Sequence, residues 1–242
     1  MFAWLSEKET DFVEIKENFE IKKKQFTINA YFDLKTSLII KSYPTDPNLP
    51  DAVHIKSGGK NVIPGTSIKG AVRSRAERIL NTKFDAEKSG ILTKELFGFV
   101  NEDDPKSKAI KSKLRIEESV LEKEKFTEEI QARIKIDRFT GGTMSGALFD
   151  SMPLFRNNKN GNEKVINLRM SINDYKYYEA GLLLLVLKDL WAGDLTIGGE
   201  KNVGRGVLEG MFAEIKNGNG LNINIEDLKK LLNQIKINFK NM

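Results

Sequence analysis

One stretch, residues 63–75, constrains the fold more than any other, because it combines a tight turn, a helix start and a row of cations. Pro64 fixes its own φ and Gly65 admits a positive φ, so we expect the backbone to turn sharply there. Thr66 or Ser67 can then cap the helix that follows. A helix N-terminus of this kind, with hydroxyl groups and a lysine one turn further on, is suited to binding a phosphate.

The predicted helix has two different faces. Its apolar residues share one face at helical spacing: Ile68, Ala71, Val72, Ile79 and Leu80. Lys69, Arg73 and Glu77 recur every fourth residue on another face. The spacing predicts a helix with one side in the core and one cationic side. An ordinary helix with solvated cations is the alternative at this point.

Composition limits the chemistry that the chain can carry. It has 242 residues and 40% hydrophobic content, enough for a sizeable core in one domain or two fused halves. The absence of cysteine excludes disulfides and thiolate metal sites, and a single histidine, His54, excludes a multi-histidine site. Any metal would therefore be a hard cation held by carboxylates, phosphates and water. A net charge of +5 permits an anionic partner without naming one.

No stretch indicates a membrane partner. The first residues carry acidic side chains where a signal peptide needs an apolar run, and the longest apolar block, residues 182–187, is far too short to span a bilayer. We therefore expect a soluble cytoplasmic protein.

The hydrophobic periodicity predicts alternating strands and helices. Apolar residues alternate from Phe26 to Leu34, again from Leu114, and again over residues 164–172, which indicates three strands. A buried helix should begin at Asn173 or Asp174 and run to Trp191. With a fourth strand after residue 206, the order predicts an α+β fold with a ferredoxin-like or RRM-like βαββαβ core. Such sheets often bind single-stranded RNA through aromatic side chains on a strand face, which the sequence does not identify here.

The domain boundaries follow from the same pattern. Residues 1–24 form an N-terminal extension, and residues 25–242 form one domain with an insertion at about 120–163. An amphipathic C-terminal helix is expected at about 225–236.

Two glycine-containing stretches complete the set of motifs. Residues 136–150 predict a hairpin with a glycine-rich tip, and in a plain hairpin Phe139 and Phe149 would be core residues. Residues 198–206 contain four glycines with Lys201 and Arg205, so the backbone could approach a phosphate closely. This loop is neither a P-loop nor a Rossmann fingerprint, because no Lys-Ser or Lys-Thr pair follows and the next segment is a strand.

Together these stretches resemble a known family. The sequences IPGTSIKGAVR, ELFG, IDRFTG with GALFD, and GGEKNVGRG occur in the order found in the RAMP superfamily, the RNA-binding subunits of type III CRISPR effector complexes. The resemblance covers about residues 25–216. It implies a guide-RNA (crRNA) binding backbone subunit that also contacts single-stranded target RNA and other type III subunits. The hairpin at 138–150 would be a thumb that displaces bases of the guide.

The resemblance also implies roles for particular residues. Guide phosphates would contact the hydroxyls and cations of the first and last motifs: Thr66, Ser67, Lys69, Arg73, Lys201 and Arg205. Arg138, Phe139 and Met144 would contact RNA from the thumb. In the catalytic members an aspartate before the IPG motif cleaves the paired target RNA. Asp46 and Asp51 are the candidates here, and the DAVHI stretch favours Asp51.

The catalytic hypothesis makes the protein a metal-dependent endoribonuclease. An aspartate carboxylate is a poor base at neutral pH, so we expect Asp51 to hold Mg²⁺ or another divalent cation. Residues 38–42 replace an H-x-G-rich stretch of many members, which motivates the alternative of a catalytically inactive scaffold subunit. A third hypothesis is a metal-independent RNA-processing endoribonuclease in which His54 acts as acid or base.

Overall fold

The computed structural model describes residues 24–101, 109–157, 164–217 and 222–223. The fold is mixed α+β, as predicted. All of the predicted N-terminal extension except residue 24, and the predicted helix at 225–236, lie outside the described residues. The helices are α1 Gly65–Asn81, α2 Ala86–Phe97 and α3 Tyr177–Trp191. The strands are β1 Gln25–Leu34, β2 Lys41–Ser42, β3 Ala52–His54, β4 Lys56–Ser57, β5 Lys60–Ile63, β6 Leu114–Ile116, β7 Ser119–Val120, β8 Phe126–Glu128, β9 Gln131–Ile136, β10 Thr143–Met152, β11 Leu154–Arg156, β12 Ile166–Asn173, β13 Leu208–Asn217 and β14 Asn222–Ile223.

The largest sheet, which we call the central sheet, has five antiparallel strands in the order β14-β13-β1-β12-β6. Alternate residues of β1 from Phe26 to Leu34 are buried, which confirms the predicted strand and the side of it that faces the core. Every second residue of β12 from Ile166 to Ile172 is buried in the same way. One face of the sheet therefore supplies the core.

Helices α1 and α3 cover that face. The buried residues of α1 recur every fourth position from Ile68 to Leu80, and α3 is buried on most of its surface. An ion pair of 2.7 Å between Arg75 Nε and Asp189 Oδ2 joins the two helices. The predicted start of α3 at Asn173 or Asp174 is wrong, because Asp174 adopts a left-handed φ of 49° and the helix begins at Tyr177.

The registers place several connections at one end of the central sheet, which we call the motif end. Leu34 at the end of β1 lies opposite Leu208 at the start of β13, and Phe32 lies opposite Ile166 at the start of β12. The connections 35–64, 117–165 and 192–207 therefore all meet at the motif end. These are the segments that contain the sequence motifs or lead directly into them.

The connections build smaller sheets beside the motif end. Strands β2, β3, β10 and β9 form one four-stranded sheet, β11 pairs with β8, and β5 lies between β4 and β7. Within the insertion, a short 3₁₀ turn at Lys123–Lys125 leads into strand β8. Leu38 and Leu154 exchange backbone hydrogen bonds of 2.9 and 2.8 Å, which fixes the insertion against the connection that follows β1. Among the helices described, none is long and apolar enough to cross a membrane.

Candidate nucleic-acid interface

The first turn of α1 differs from the prediction in how it is built. The helix begins at Gly65 with Pro64 as its N-cap, and no side chain caps it. The carbonyl of Pro64 accepts hydrogen bonds from the amides of Ser67 (3.0 Å) and Ile68 (3.3 Å). The prediction that Thr66 or Ser67 caps the helix is therefore wrong, and neither hydroxyl makes a capping bond.

Gly65 is required for a different reason from the one predicted. It has no positive φ. A Cβ atom at this position would lie 2.3 Å from the backbone oxygen of Ile116, so the glycine allows α1 to start against the end of β6. This contact fixes the helix N-terminus at the motif end.

The exposed face of α1 carries two predicted cations in different settings. Arg73 and Thr66 are exposed. Lys69 is half-buried, and its Nζ donates to Ser112 Oγ at 2.7 Å. Burial and the neighbouring charge of Arg73 lower the pKa of the Lys69 ammonium. Arg73 is therefore the more available cation of the pair.

The glycine-rich loop packs against protein backbone. The amide of Gly199 donates to Ile39 O at 2.7 Å, and that of Gly206 donates to Ser37 O at 2.7 Å. Gly206 has a φ of 78°, and a Cβ there would lie 1.8 Å from Ile197 O. The close approach that this glycine permits is thus to the chain itself. Lys201 lies exposed in a short 3₁₀ turn.

Arg205 is buried, which corrects the prediction that it contacts a phosphate directly. Only 2% of the residue is exposed. Its guanidinium donates to Ser37 Oγ at 2.9 Å and to Gln131 Oε1, and its Nε lies 2.8 Å from Glu200 Oε2. Because these partners occupy the guanidinium inside the protein, we reassign Arg205 to positioning the loop.

Glu200 holds three elements together and was not found by sequence analysis. Besides Arg205, its carboxylate contacts Lys41 Nζ at 3.1 Å and Arg133 Nη1 at 3.0 Å. Burial acts to raise the pKa of the Glu200 carboxyl, but the hydrogen bond from Lys41 and the charges of Arg133 and Arg205 together hold it below its usual value. This network, the Glu200 cluster, links β2, β9 and the glycine-rich loop.

The hairpin β9–β10 exposes its apolar side chains. Phe139 at the tip is 99% exposed and Met144 is 44% exposed. Phe149 is 43% exposed, so the alternative in which Phe139 and Phe149 are core residues is wrong. Asp137 fixes the turn, since its Oδ1 accepts the amide of Phe139 at 2.8 Å. Arg138 is also exposed, so the tip presents an aromatic ring and a cation to solvent.

Asp51 lies beside the strand that leads away from this hairpin. Its Oδ2 accepts a hydrogen bond of 3.0 Å from the backbone amide of Asp150 in β10, and the adjacent strand β3 pairs with β10 in parallel. The side chain is exposed. Asp46, the other candidate, instead accepts the amide of Asn48 at 2.9 Å within its own turn. Of the two aspartates, Asp51 is thus the one fixed to the hairpin.

The donor set near Asp51 is compatible with a hard divalent cation. Asp51 supplies an oriented carboxylate with one oxygen not engaged by the Asp150 amide. Within the described ranges, no three acidic or histidine side chains form a metal-binding group. A cation held by Asp51 would take its other ligands from RNA phosphates and water, as Mg²⁺ commonly does.

His54 is part of the structure between the motifs. It is 1% exposed; its Nδ1 accepts the amide of Ile40 at 3.2 Å, and its Nε2 donates to Val62 O at 2.9 Å. Burial lowers the pKa of this histidine. Its two ring nitrogens are occupied and shielded from solvent, which argues against the hypothesis that His54 is an acid or base for RNA processing.

The segment between β1 and α1, residues 35–64, joins the sequence motifs to one another. The glycine-rich loop rests on residues 37–41, His54 bonds to Ile40, and Val62 in β5 leads directly into α1. The hairpin joins the same unit through Arg133 and Asp51.

Comparison with known proteins shows the family of this chain. No curated protein matches the sequence. The model of the RAMP superfamily matches residues 31–209, well over half of the chain, from β1 to the start of β13. Members of this family bind CRISPR RNA and act in multisubunit complexes, and some are endoribonucleases. The chain therefore belongs to the RAMP superfamily, which implies a CRISPR-associated, RNA-binding function.

Proposed function

We propose that this protein is a guide-binding backbone subunit of a type III CRISPR effector complex and that it cleaves target RNA paired to the guide. The observation that carries the proposal is the position of Asp51, hydrogen-bonded to Asp150 beside an exposed hairpin at the motif end. The core is proposed to be ferredoxin-like. The antiparallel order β13-β1-β12-β6, with α1 and α3 on one face, supports this.

The guide RNA is proposed to run past the start of α1 and the glycine-rich loop. Thr66, Ser67, Lys69 and Arg73 lie on the first turns of α1, and Lys201 is exposed in the loop. Cations and backbone amides of this kind bind phosphates and set the register of the strand without reading sequence. Arg205 acts indirectly, by holding the loop in place.

The hairpin β9–β10 is proposed to be the thumb. Inserting Phe139 and Met144 between bases would cost a few kcal/mol per unstacked step, which contacts from Arg138 to phosphate would offset. A wedge of this kind needs a rigid base. The ion pair of 3.0 Å between Arg133 and Glu200 supplies one by fixing β9 to the Glu200 cluster.

Cleavage is proposed to depend on geometry near Asp51. Displacing one base would turn the backbone so that a 2′-hydroxyl lies in line with the leaving oxygen, and this alignment supplies much of the acceleration. Asp51, oriented by the Asp150 amide, would hold a divalent cation. When bound, that cation supplies Lewis-acid stabilisation of charge on the scissile phosphate.

The test uses the complex assembled with its cognate subunits and guide RNA, with Mg²⁺ and labelled target RNA. Asp51→Ala should reduce cleavage by at least about a hundredfold while target binding stays within about twofold, because the cation site is lost but the phosphate contacts remain. Asp46→Ala is the matched control, since the side-chain bonds of this aspartate among the described residues are to Asn48 in its own turn, and it should cut like the wild type. EDTA should stop cleavage.

Two results would contradict parts of the proposal. Unchanged cutting by Asp51→Ala rejects Asp51 as the catalytic residue. A wild-type complex that binds target but yields no metal-dependent fragments would make the protein a scaffold subunit.

A further inference from the structure

We propose that one face of the central sheet, which none of the helices described covers and which we call the open face, is a second binding surface for single-stranded RNA, where Tyr31 and Phe212 stack on bases. Helices α1 and α3 cover the other face of the sheet. Side chains alternate along a strand, so the residues between the buried ones point to the open face. Tyr31 in β1 and Phe212 in β13 are directly paired in the sheet register.

The aromatic pair is preorganised. The ring centroids lie 6.1 Å apart with planes inclined at 39°, and Phe212 is 41% exposed. Asn29 Nδ2 donates to the hydroxyl of Tyr31 at 3.1 Å, which orients that ring. Lys164 Nζ lies 4.2 Å from the centroid of Phe212 and 5.0 Å from that of Tyr31. Two held rings with an adjacent cation form the arrangement that binds a base and its phosphate in single-stranded nucleic acid complexes.

The neighbouring strands extend this surface with polar groups. Asn167 lies opposite Tyr31, and Arg169 lies opposite Asn29 on the same strand. Further along, Ser171 lies opposite Arg115 in β6, and both arginines are exposed. Amide and hydroxyl groups can bond to base edges while arginines bind phosphates.

Acidic residues on this face are partly neutralised by partners. Asp33 Oδ1 lies 3.1 Å from Arg156 Nε, and Glu214 Oε1 lies 3.0 Å from Lys216 Nζ. Glu117 lies 3.9 Å from Arg169 Nη1. These pairs also engage Arg169 and Lys216, so Lys164 beside the rings is the cation best placed for an anionic ligand.

The chemistry of the face favours RNA over a protein helix. An amphipathic helix needs a wide apolar stripe on its partner. Here the two rings are set among the amide, hydroxyl and charged groups named above, so stacking and polar contacts, rather than a broad apolar contact, are available. This inference rests on the RNA-binding function of the family, and it does not depend on the guide path proposed at the motif end.

The test is crosslinking of the full-length protein to an oligouridine of about 20 nucleotides that carries 5-iodouridine, with crosslinks mapped by mass spectrometry. Crosslinks are expected at Tyr31 and Phe212, because the reaction requires a base in contact with the ring. The double variant Tyr31→Leu with Phe212→Leu keeps apolar bulk, and it should lose these crosslinks and bind about tenfold more weakly.

Three further variants distinguish binding at the two rings from binding elsewhere on the open face and from binding at the motif end. Thr27→Ala, on the same face and away from the rings, should bind within about twofold of the wild type. Lys164→Gln, which removes the cation over the two rings, should lower the slope of log Kd against log salt by about 0.7. Arg73→Gln should weaken total binding but leave the Tyr31 and Phe212 crosslinks intact at saturating RNA.

Crosslinks confined to the motif end, or a Kd for the double leucine variant within about twofold of the wild type, would overturn the inference while leaving the proposed guide path in place. A double variant that loses association with other subunits but keeps its RNA affinity would assign the face to protein contact, and would overturn it as well.

Discussion

The start of α1 and the glycine-rich loop were predicted from the same chemistry, yet they use their cations differently. On α1, Arg73 is exposed, and the bond of Lys69 is to a neutral hydroxyl, Ser112 Oγ. In the loop, Lys201 is exposed, whereas Arg205 is 2% exposed and paired with Glu200. The comparison shows that an arginine in a glycine-rich loop can serve the protein's own architecture instead of a ligand.

The difference has a physical origin in the two backbones. A helix with one face in the core directs its other face to solvent, so the cations between the buried positions of α1 remain available. The glycine-rich loop instead lies between residues 37–41 and strand β9, where a long side chain must find partners or remain buried and unpaired. An unpaired buried charge costs several kcal/mol, and the Glu200 cluster avoids that cost for Arg205.

The largest expected effect is a difference in stability between alanine substitutions of one glycine in each region. Gly206→Ala should lower the free energy of unfolding by more than about 3 kcal/mol, because the new Cβ would overlap Ile197 O and the φ of 78° is unfavourable for alanine. Gly70→Ala in α1, where nothing lies within 4 Å, should raise it by about 0.5–1 kcal/mol. Urea unfolding of both variants measures this, and similar effects at the two sites would contradict the comparison.

The next effect tests the Glu200 cluster. Glu200→Gln removes the charge that neutralises buried Arg205, and it should cost on the order of 3 kcal/mol of stability. Arg73→Gln, the matched change on α1, should stay within about 0.5 kcal/mol of the wild type because that side chain is exposed. The urea concentrations at the unfolding midpoints of the two variants measure this difference. A Glu200→Gln variant as stable as Arg73→Gln would show that the Glu200 cluster contributes little to stability.

The smallest effect concerns His54, which links the segment beneath the loop to the strand before α1. Burial lowers its pKa in the folded state, so the unfolded chain binds a proton more readily. Stability should therefore be constant with respect to His54 above about pH 6.5 and fall as the pH drops below that value. His54 is the chain's single histidine, so His54→Gln should remove the part of the dependence that begins just below about pH 6.5. A persistent slope in that variant would assign the dependence to other groups.

Sequence periodicity anticipated the central sheet and its helices because burial alternates regularly along them. Apolar residues alternate from Phe26 to Leu34 and recur every fourth position from Ile68 to Leu80. Both patterns are local in sequence, and the structure buries the same residues. The two-residue strands β2 and β4 carry no such signal. Their pairing depends on where distant segments meet, which a short stretch of sequence does not encode.

The candidate site was predictable in part, because its exposed residues lie within the sequence motifs. The motifs placed Arg73 on a helix, Lys201 and Asp51 in loops, and Phe139 on a hairpin, and each of these side chains is exposed. The burial of Arg205 was not predictable, since its partners Ser37, Gln131 and Glu200 come from three separate segments. The pairing of Tyr31 with Phe212 was not predictable either, because the register between β1 and β13 brings together residues far apart in the chain.

The most direct test of the account is the salt dependence of guide-RNA binding by purified protein variants. Arg73→Gln and Lys201→Gln should each reduce the slope of log Kd against log salt by about 0.7, since each removes one phosphate contact. Arg78→Gln, an exposed cation in the last turn of α1, should retain the wild-type slope. Wild-type slopes for both Arg73→Gln and Lys201→Gln would contradict the claim that the start of α1 and the glycine-rich loop together hold the RNA backbone.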